Sequence, residues 1–86
     1  MKVVNENNRM RVVRVTFKPG EDAAMHHHPD HMVYVLKGGE LDITSKGKTE
    51  NIKLQEEQVI FFDELDHAVK NNGKSTVDLL VVELKK

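Results

Sequence analysis

The chain has 86 residues, enough for one domain, and contains no cysteine, which excludes disulfide bonds, thiolate metal sites and cysteine nucleophiles. Its 13 basic and 14 acidic residues are mixed along the sequence and give a net charge of −1, so no basic surface for a nucleic-acid backbone is expected. The N-terminus lacks the apolar core of a signal peptide, and no run approaches the ~20 apolar residues of a membrane helix. We therefore expect a cytoplasmic protein with neither a nucleic-acid nor a membrane partner.

Hydrophobic residues make up 38% of the chain and aromatic residues only 5%, so the core must be built mainly from Val, Leu and Ile. β-Branched side chains pack well on a pleated surface and therefore favour strands. A domain of this size buries only about 60% of its unfolded surface. A bound metal or a partner subunit is therefore expected to add to its stability.

Short apolar segments alternate with turn residues along the chain, which is typical of an all-β sandwich or barrel. The first strong strand covers residues 11–18, where Val13, Val15 and Phe17 share one face. Further strands are predicted at residues 31–37, 40–45, 49–54, 59–62, 67–70 and 76–84. No segment predicts a helix, so we expect a single barrel over residues 1–86, closed or nearly closed so that few strand edges are exposed.

Three further expectations concern individual positions within these strands and turns. Val33 and Val35 share one face of strand 31–37, and with Phe61 of the buried strand 59–62 they are predicted to line the barrel interior. The pair at residues 38–39 is Gly-Gly, which is expected to supply the positive-φ positions of a tight turn. Glu83 alternates with apolar neighbours near the end of the last strand and is expected to face solvent.

The five histidines provide the strongest chemical signal. Residues i and i+2 of an extended chain lie on the same face, about 6.6–6.8 Å apart, so His26 and His28 can aim at one ion while His27 points away. His31 begins the next strand and shares a face with its interior valines. His67 lies on a separate strand and could complete the ligand set.

Several imidazoles from different strands suit one divalent transition metal ion (Zn, Fe, Ni, Cu or Mn) better than calcium or magnesium, which prefer oxygen ligands. The pattern does not choose among these metals. Two interpretations without a metal stay open: the histidine-rich segment as a solvated loop, and His67 as a capped or core histidine. Asp30 follows Pro29 and is expected to form a turn rather than bind the ion.

Gly20, followed after five residues by His26-x-His28 and then by the strand that ends at Gly38, resembles the first motif of the cupin family. The usual form of that motif carries a Glu ligand at the position that His31 holds here, and some members use His there.

Residues 59–71 resemble the second cupin motif, whose usual His and Asn are matched by His67 and Asn71. Asp63 and Leu65 stand where the usual form has Pro and Gly. These departures change a turn and leave the His ligand in place.

The resemblance implies a double-stranded β-helix of jelly-roll type, with one metal ion held by His26, His28, His31 and His67. It also implies a homodimer, in which an edge strand near residues 2–5 pairs across subunits. Small bacterial single-domain cupins are the most similar group.

The resemblance implies a fold and not one reaction, because dioxygenase, isomerase and other chemistries all occur on this fold. The first hypothesis is a small metal-dependent enzyme acting on a small organic substrate. The alternatives are a non-catalytic, metal-stabilised barrel that binds or senses a ligand, and a structural barrel with empty histidines. No carboxylate is clearly placed as a general base, so no catalytic residue is predicted.

Overall fold

The computed structural model describes residues 1–85 and is all-β, with no helix in that range. Its strands are β1 (Lys2–Glu6), β2 (Met10–Phe17), β3 (Asp22–His28), β4 (His31–Lys37), β5 (Gly39–Ser45), β6 (Lys48–Leu54), β7 (Val59–Phe62), β8 (Leu65–Lys70) and β9 (Val77–Leu84). The predicted strands are all present, and their ends differ by at most two residues. Within the described residues no helix has the length and hydrophobicity needed to cross a membrane.

The strands form two antiparallel sheets that pack face to face. The five-stranded sheet has the order β1-β2-β9-β4-β7, and the four-stranded sheet has the order β3-β8-β5-β6. β1 pairs with β2 of its own chain, which leaves only its outer edge available for pairing across subunits. The chain crosses between the sheets repeatedly, so each sheet joins strands that are distant in sequence.

The core lies between the inner faces of the two sheets. Its fully and nearly fully buried apolar side chains are Val13, Phe17, Val33, Val35, Leu41, Leu54, Val69, Val77, Leu79 and Val81. Period-2 alternation in β2, β4 and β9 supplies most of these residues, because only one face of each strand can meet the other sheet.

The prediction that strand 59–62 is buried, with Phe61 in the interior, is wrong. Val59 and Phe61 are 56% and 57% exposed. β7 is an edge strand, and the side chains that it packs against the core are Ile60 and Phe62. The strand is apolar on both faces, so hydrophobicity alone could not distinguish its inner face from its outer one.

The prediction of positive φ angles at the glycine pair is also wrong. Among the described residues the glycines with positive φ are Gly20 and Gly47. Gly38 is required for space instead, because a Cβ at this position would overlap the backbone carbonyl oxygen of Leu54. The close approach of two chain segments therefore explains this glycine, and the turn geometry does not.

The side chain of Asn71 connects the loop before β9 to the end of β2 through hydrogen bonds. Its side chain is fully buried, and its Nδ2 donates hydrogen bonds to the backbone oxygens of Phe17 (2.8 Å) and Ser75 (2.9 Å). Its Oδ1 accepts a hydrogen bond from the backbone N–H of Gly73 at 2.9 Å. One amide thus satisfies three backbone groups from two segments.

Replacing this amide should be strongly destabilising. We expect Asn71→Ala to lower the free energy of unfolding by about 3 kcal/mol, because buried backbone groups lose their partners. Asn51→Ala is the matched control, since exposed Asn51 makes one side-chain hydrogen bond, to Asp42, and its loss should cost about 1 kcal/mol or less. Urea unfolding followed by circular dichroism measures both, and equal effects would contradict the role given to Asn71.

Candidate metal centre

The register between β3 and β8 brings histidines from distant parts of the sequence together. His26 lies directly opposite His67 in this antiparallel pair, and His28 lies opposite Leu65. His26 and His28 are two residues apart on an extended strand, so both face the same side as His67. The local extension that the His-x-His spacing predicted is therefore present.

Three imidazoles form a tight cluster. One nitrogen from each of His26, His28 and His67 lies within 4.8 Å of the others. The three ring centroids are 4.5 to 4.8 Å apart, and the planes cross at 76° to 79°. Rings inclined in this way direct their edges, which carry the nitrogens, toward a common point.

His31 lies beside this cluster. Its ring centroid is 4.8 Å from that of His28 but 6.3 Å from that of His67, and its ring stacks on Phe62 at 5.2 Å. The side chain is 2% exposed, and its Nδ1 donates a hydrogen bond to the backbone oxygen of Pro29 at 2.8 Å. His31 is thus held rigidly at the edge of the site.

His27 points away from the cluster, as its position between two inward residues requires. Its Nδ1 lies 2.8 Å from a carboxylate oxygen of Asp66 on the outer face, where both side chains are exposed. Asp30 accepts a hydrogen bond from the backbone N–H of Glu64 at 2.9 Å. This bond ties the turn after β3 to the segment before β8.

Hydrogen bonds determine which nitrogen of each ring faces the centre of the cluster. A carbonyl oxygen can only accept, so Nδ1 of His26, which lies 2.5 Å from the backbone oxygen of Ala24, must carry the proton. Nδ1 of His28 donates to the Glu83 carboxylate at 2.7 Å. When both rings are neutral, their Nε2 atoms are left as acceptors with free lone pairs.

These two acceptors face each other at short range. The Nε2 atoms of His26 and His28 are 2.8 Å apart. Two lone pairs at this distance repel each other unless a proton or a cation lies between them. Two nitrogens bound to one transition metal ion at about 2.0–2.1 Å and at right angles would lie about 2.9 Å apart, so this donor pair fits a metal ion.

Glu83 corrects a prediction made from the sequence. It was expected to face solvent, but it is 8% exposed and bonds to Nδ1 of His28, while its other carboxylate oxygen lies 3.3 Å from Nη1 of Arg11. In β9 the inward positions are every second residue through Val81, and Glu83 continues that series. The period-2 alternation of β9 therefore predicts that Glu83 points inward, whereas the charge of its side chain led to the prediction that it faces solvent.

Two rings of the cluster, those of His28 and His67, sit in surroundings that disfavour their protonation. Burial, together with the neighbouring imidazoles, lowers the pKa of His67 to about 4. Burial also lowers the pKa of His28, although its hydrogen bond to Glu83 acts in the opposite direction. Neutral imidazoles are the form that binds metal ions.

The histidines line one part of an apolar cavity of about 350 Å³ between the sheets. Val33 lies on its wall, whereas Val35 is fully buried in the core and Phe61 lies on the outer face of β7. Further apolar wall residues include Leu41, Ile43, Ile52, Leu54, Ile60 and Phe62. The volume suits a small organic molecule.

The lowered pKa values predict a pH dependence of stability for the metal-free protein. In the unfolded chain His67 takes up a proton near pH 6.5, whereas in the folded chain it does so near pH 4. The unfolded state therefore binds more protons in this range, and the free energy of unfolding should fall as the pH is lowered from 6.5 to 5. The slope due to His67 is at most about 1.4 kcal/mol per pH unit, reduced by partial solvation of the ring.

Urea unfolding in the presence of a chelator at several pH values measures this slope. The His67→Gln variant should show a shallower dependence, because it lacks the group that titrates. An identical slope in both proteins would show that His67 is not the group responsible.

Comparisons with known proteins agree with the geometry. The family model described as Cupin domain matches residues 13–83. A cupin domain from Bordetella pertussis Tohama I has a TM-score of 0.93 at 23% identity, covering 99% of this chain and 91% of its own. No curated protein matches the chain.

Two other solved structures show the same fold. An RmlC-like cupin family protein from Methanocaldococcus jannaschii, with a double-stranded β-helix fold, has a TM-score of 0.79 at 15% identity, covering 96% of this chain and 76% of its own. A protein from Thermotoga maritima described as a predicted oxalate decarboxylase has a TM-score of 0.69 at 25% identity, covering 92% and 69%. The chain therefore belongs to the cupin family, and its two sheets form the double-stranded β-helix of that family.

Proposed function

We propose that this chain is a metal-binding cupin that holds one divalent transition metal ion at His26, His28 and His67, with His31 as a fourth ligand. The observation that carries the proposal is the pair of Nε2 acceptors 2.8 Å apart, whose lone pairs need a cation between them. Burial lowers the pKa of His28, one member of this pair, so a proton is a poor substitute for the metal. We place the protein in the cytoplasm, as the sequence predicts.

The proposed ligand set has consequences for the choice of metal. It consists of imidazole nitrogens, because the nearby Glu83 carboxylate is engaged by His28 and Arg11. Such a set favours Zn, Fe, Ni or Cu over Mn, which prefers oxygen donors. His31 supports a fourth position because its Nδ1 is occupied by Pro29 and its Nε2 is the nitrogen left to bind.

The proposed activity is metal-dependent conversion of a small organic substrate, of the dioxygenase or isomerase type. A bound ion would act as a Lewis acid toward a carbonyl, carboxylate or enolate oxygen of that substrate. The chain's own residues orient the imidazoles, and the apolar cavity wall receives the hydrocarbon part and excludes water. Oxalate, named for the Thermotoga maritima protein, shares the oxygen-donor chemistry, but this wall favours a substrate with a larger apolar body.

One observation favours a non-catalytic alternative, a metal-stabilised barrel that binds or senses a ligand. Among the described residues that line the cavity, the carboxylates are Glu21 and Asp22, both exposed at the start of β3. Neither has a hydrogen bond to the histidine cluster. A reaction that needs a general base would therefore have to rely on an imidazole or on water bound to the ion.

Metal content provides the first test. Untagged wild-type protein loaded with Zn²⁺ and desalted should hold about one ion per chain, and His28→Ala should hold less than about a tenth. His27→Ala is the matched control, because His27 is the neighbouring histidine and bonds on the outer face. Retention of the ion by His28→Ala, or its loss from His27→Ala, would contradict the ligand assignment.

A turnover assay distinguishes the proposed enzyme from the non-catalytic binding module. Protein loaded in turn with Fe²⁺, Ni²⁺, Cu²⁺ and Zn²⁺ is assayed for oxygen uptake and for conversion of small carbonyl and catechol compounds. An enzyme should show turnover that His28→Ala lacks. A compound that raises the thermal midpoint of the loaded protein without being converted would favour the binding module.

Glu83 should tune the metal affinity through His28. A carboxylate on the second nitrogen of a ligand imidazole orients the ring and raises its basicity, and its loss typically weakens metal binding 10- to 100-fold. We expect Glu83→Gln to weaken Zn²⁺ binding by about tenfold in competition with a chromophoric chelator.

Asp78→Asn is the matched control for this variant. Asp78 is also a buried carboxylate on β9, and it pairs with Arg14 on the outer face, with a distance of 2.5 Å to Nη2. Asp78→Asn should lower stability but leave the Zn²⁺ affinity unchanged. Equal losses of affinity would show that the effect comes from β9 stability and not from contact with His28.

A further inference from the structure

Among the described residues that line the cavity between the sheets, polar side chains lie only near its two ends. The histidines lie at one end, and the other polar lining residues, Thr16, Glu21 and Asp22, lie beside the turn between β2 and β3. The remaining lining side chains are apolar. The middle of the cavity therefore offers a ligand no side chain as a hydrogen-bond partner.

The strand register gives the direction in which the cavity runs. His31 pairs with Glu83 on β9, and Phe17 pairs with Val77, six residues earlier on the same strand. Both His31 and Phe17 line the cavity. Six residues of a strand span about 20 Å at about 3.4 Å per residue. The cavity therefore extends along the strands, away from the histidines.

The cavity opens to solvent at the end opposite the histidines. Met1, Thr16, Glu21 and Asp22 are the exposed members of its lining, and the other lining residues are half-buried or buried. Asp22 begins β3, whereas His28 ends it. A ligand whose polar group faces the histidines therefore has its body among the apolar residues in between.

The apolar middle of the cavity favours hydrocarbon and disfavours further polar groups. Each methylene group that a ligand removes from water strengthens binding by about two- to fourfold. A hydroxyl or carboxylate that is buried without a partner weakens binding by about tenfold or more. The wall therefore selects against sugars, polyols and dicarboxylates.

We propose that the site takes a molecule with one oxygen-bearing head group, a carboxylate or a carbonyl, on an unsubstituted hydrocarbon body. The position of the head group at the histidines rests on the metal-binding function proposed above, whereas the position of the body rests on the apolar wall. At about 30 Å³ per atom, a cavity of about 350 Å³ holds about 12 non-hydrogen atoms. This capacity corresponds to a carboxylic acid or ketone of about ten carbons.

Ala23 determines how much room the body has. It lies opposite Val69 of β8, and both residues line the cavity. Ala23 has the smallest side chain of the described lining residues, and on β3 it lies between the mouth at Asp22 and the first ligand at His26. A leucine at this position would occupy space that the hydrocarbon body needs.

Calorimetric titration of Zn²⁺-loaded wild-type protein with straight-chain carboxylates tests the proposal. Octanoate should bind at least tenfold more tightly than butanoate, because it buries four more methylene groups. Adipate should bind at least tenfold more weakly than hexanoate, because its second carboxylate would be buried without a partner. Equal affinities within either pair would overturn the proposal.

Two leucine variants locate the hydrocarbon body. Ala23→Leu should lower the octanoate affinity at least tenfold and change the butanoate affinity less than twofold. Ala68→Leu is the matched control, because Ala68 lies on β8 between the inward residues His67 and Val69 and so faces outward. It should bind both acids as the wild-type protein does. An octanoate affinity that folded Ala23→Leu leaves unchanged would overturn the placement of the body, and the wild-type titrations decide the ligand class even if a variant does not fold.

The same titrations on metal-free protein, with the metal content of each sample measured, separate this proposal from that of the metal site. Protein that holds Zn²⁺ but binds octanoate and butanoate equally would contradict the ligand class alone. Protein that holds no Zn²⁺ but still prefers octanoate would contradict the metal site and support the apolar body. Protein that neither holds Zn²⁺ nor prefers octanoate would overturn both.

Discussion

The pairing of β3 with β8 is the constraint on which the candidate site depends. It sets His67 opposite His26, and the two-residue repeat of an extended strand adds His28 on the same side. A slip of one residue in this register would turn His67 to the outer face and separate the ligands. The hydrogen bond from the Glu64 backbone to Asp30 and the anchoring of the opposite end by Asn71 both help to hold this register.

The two sheets contribute different parts of the site. The four-stranded sheet supplies His26, His28 and His67, whereas the five-stranded sheet supplies His31 and the Glu83 carboxylate. The site therefore forms only when the sheets are packed. An ion bound between them would stabilise the folded state, since the unfolded chain does not hold these residues together. This linkage suits a domain whose small core gives limited stability on its own.

Local periodicity predicted an all-β barrel and two imidazoles of the cluster, whereas the double-stranded β-helix came from the resemblance to the cupin motifs. Alternation identified the strands, and the His-x-His spacing placed two imidazoles on one face without knowledge of their neighbours. His67 could be added only through its resemblance to a family motif, because its pairing with β3 is set by the topology. Phe61 was misplaced because β7 is apolar on both faces, and its outer side belongs to the apolar surface of the five-stranded sheet. Glu83 was misplaced because its charge outweighed a position that matched the buried residues of β9.

X-ray absorption at the metal edge of the Zn²⁺-loaded wild-type protein tests the central claim most directly. The account predicts nitrogen ligands at about 2.0–2.1 Å, with the outer scattering of at least three imidazoles and of four if His31 binds. A ligand shell dominated by oxygen, with fewer than two imidazoles, would contradict it.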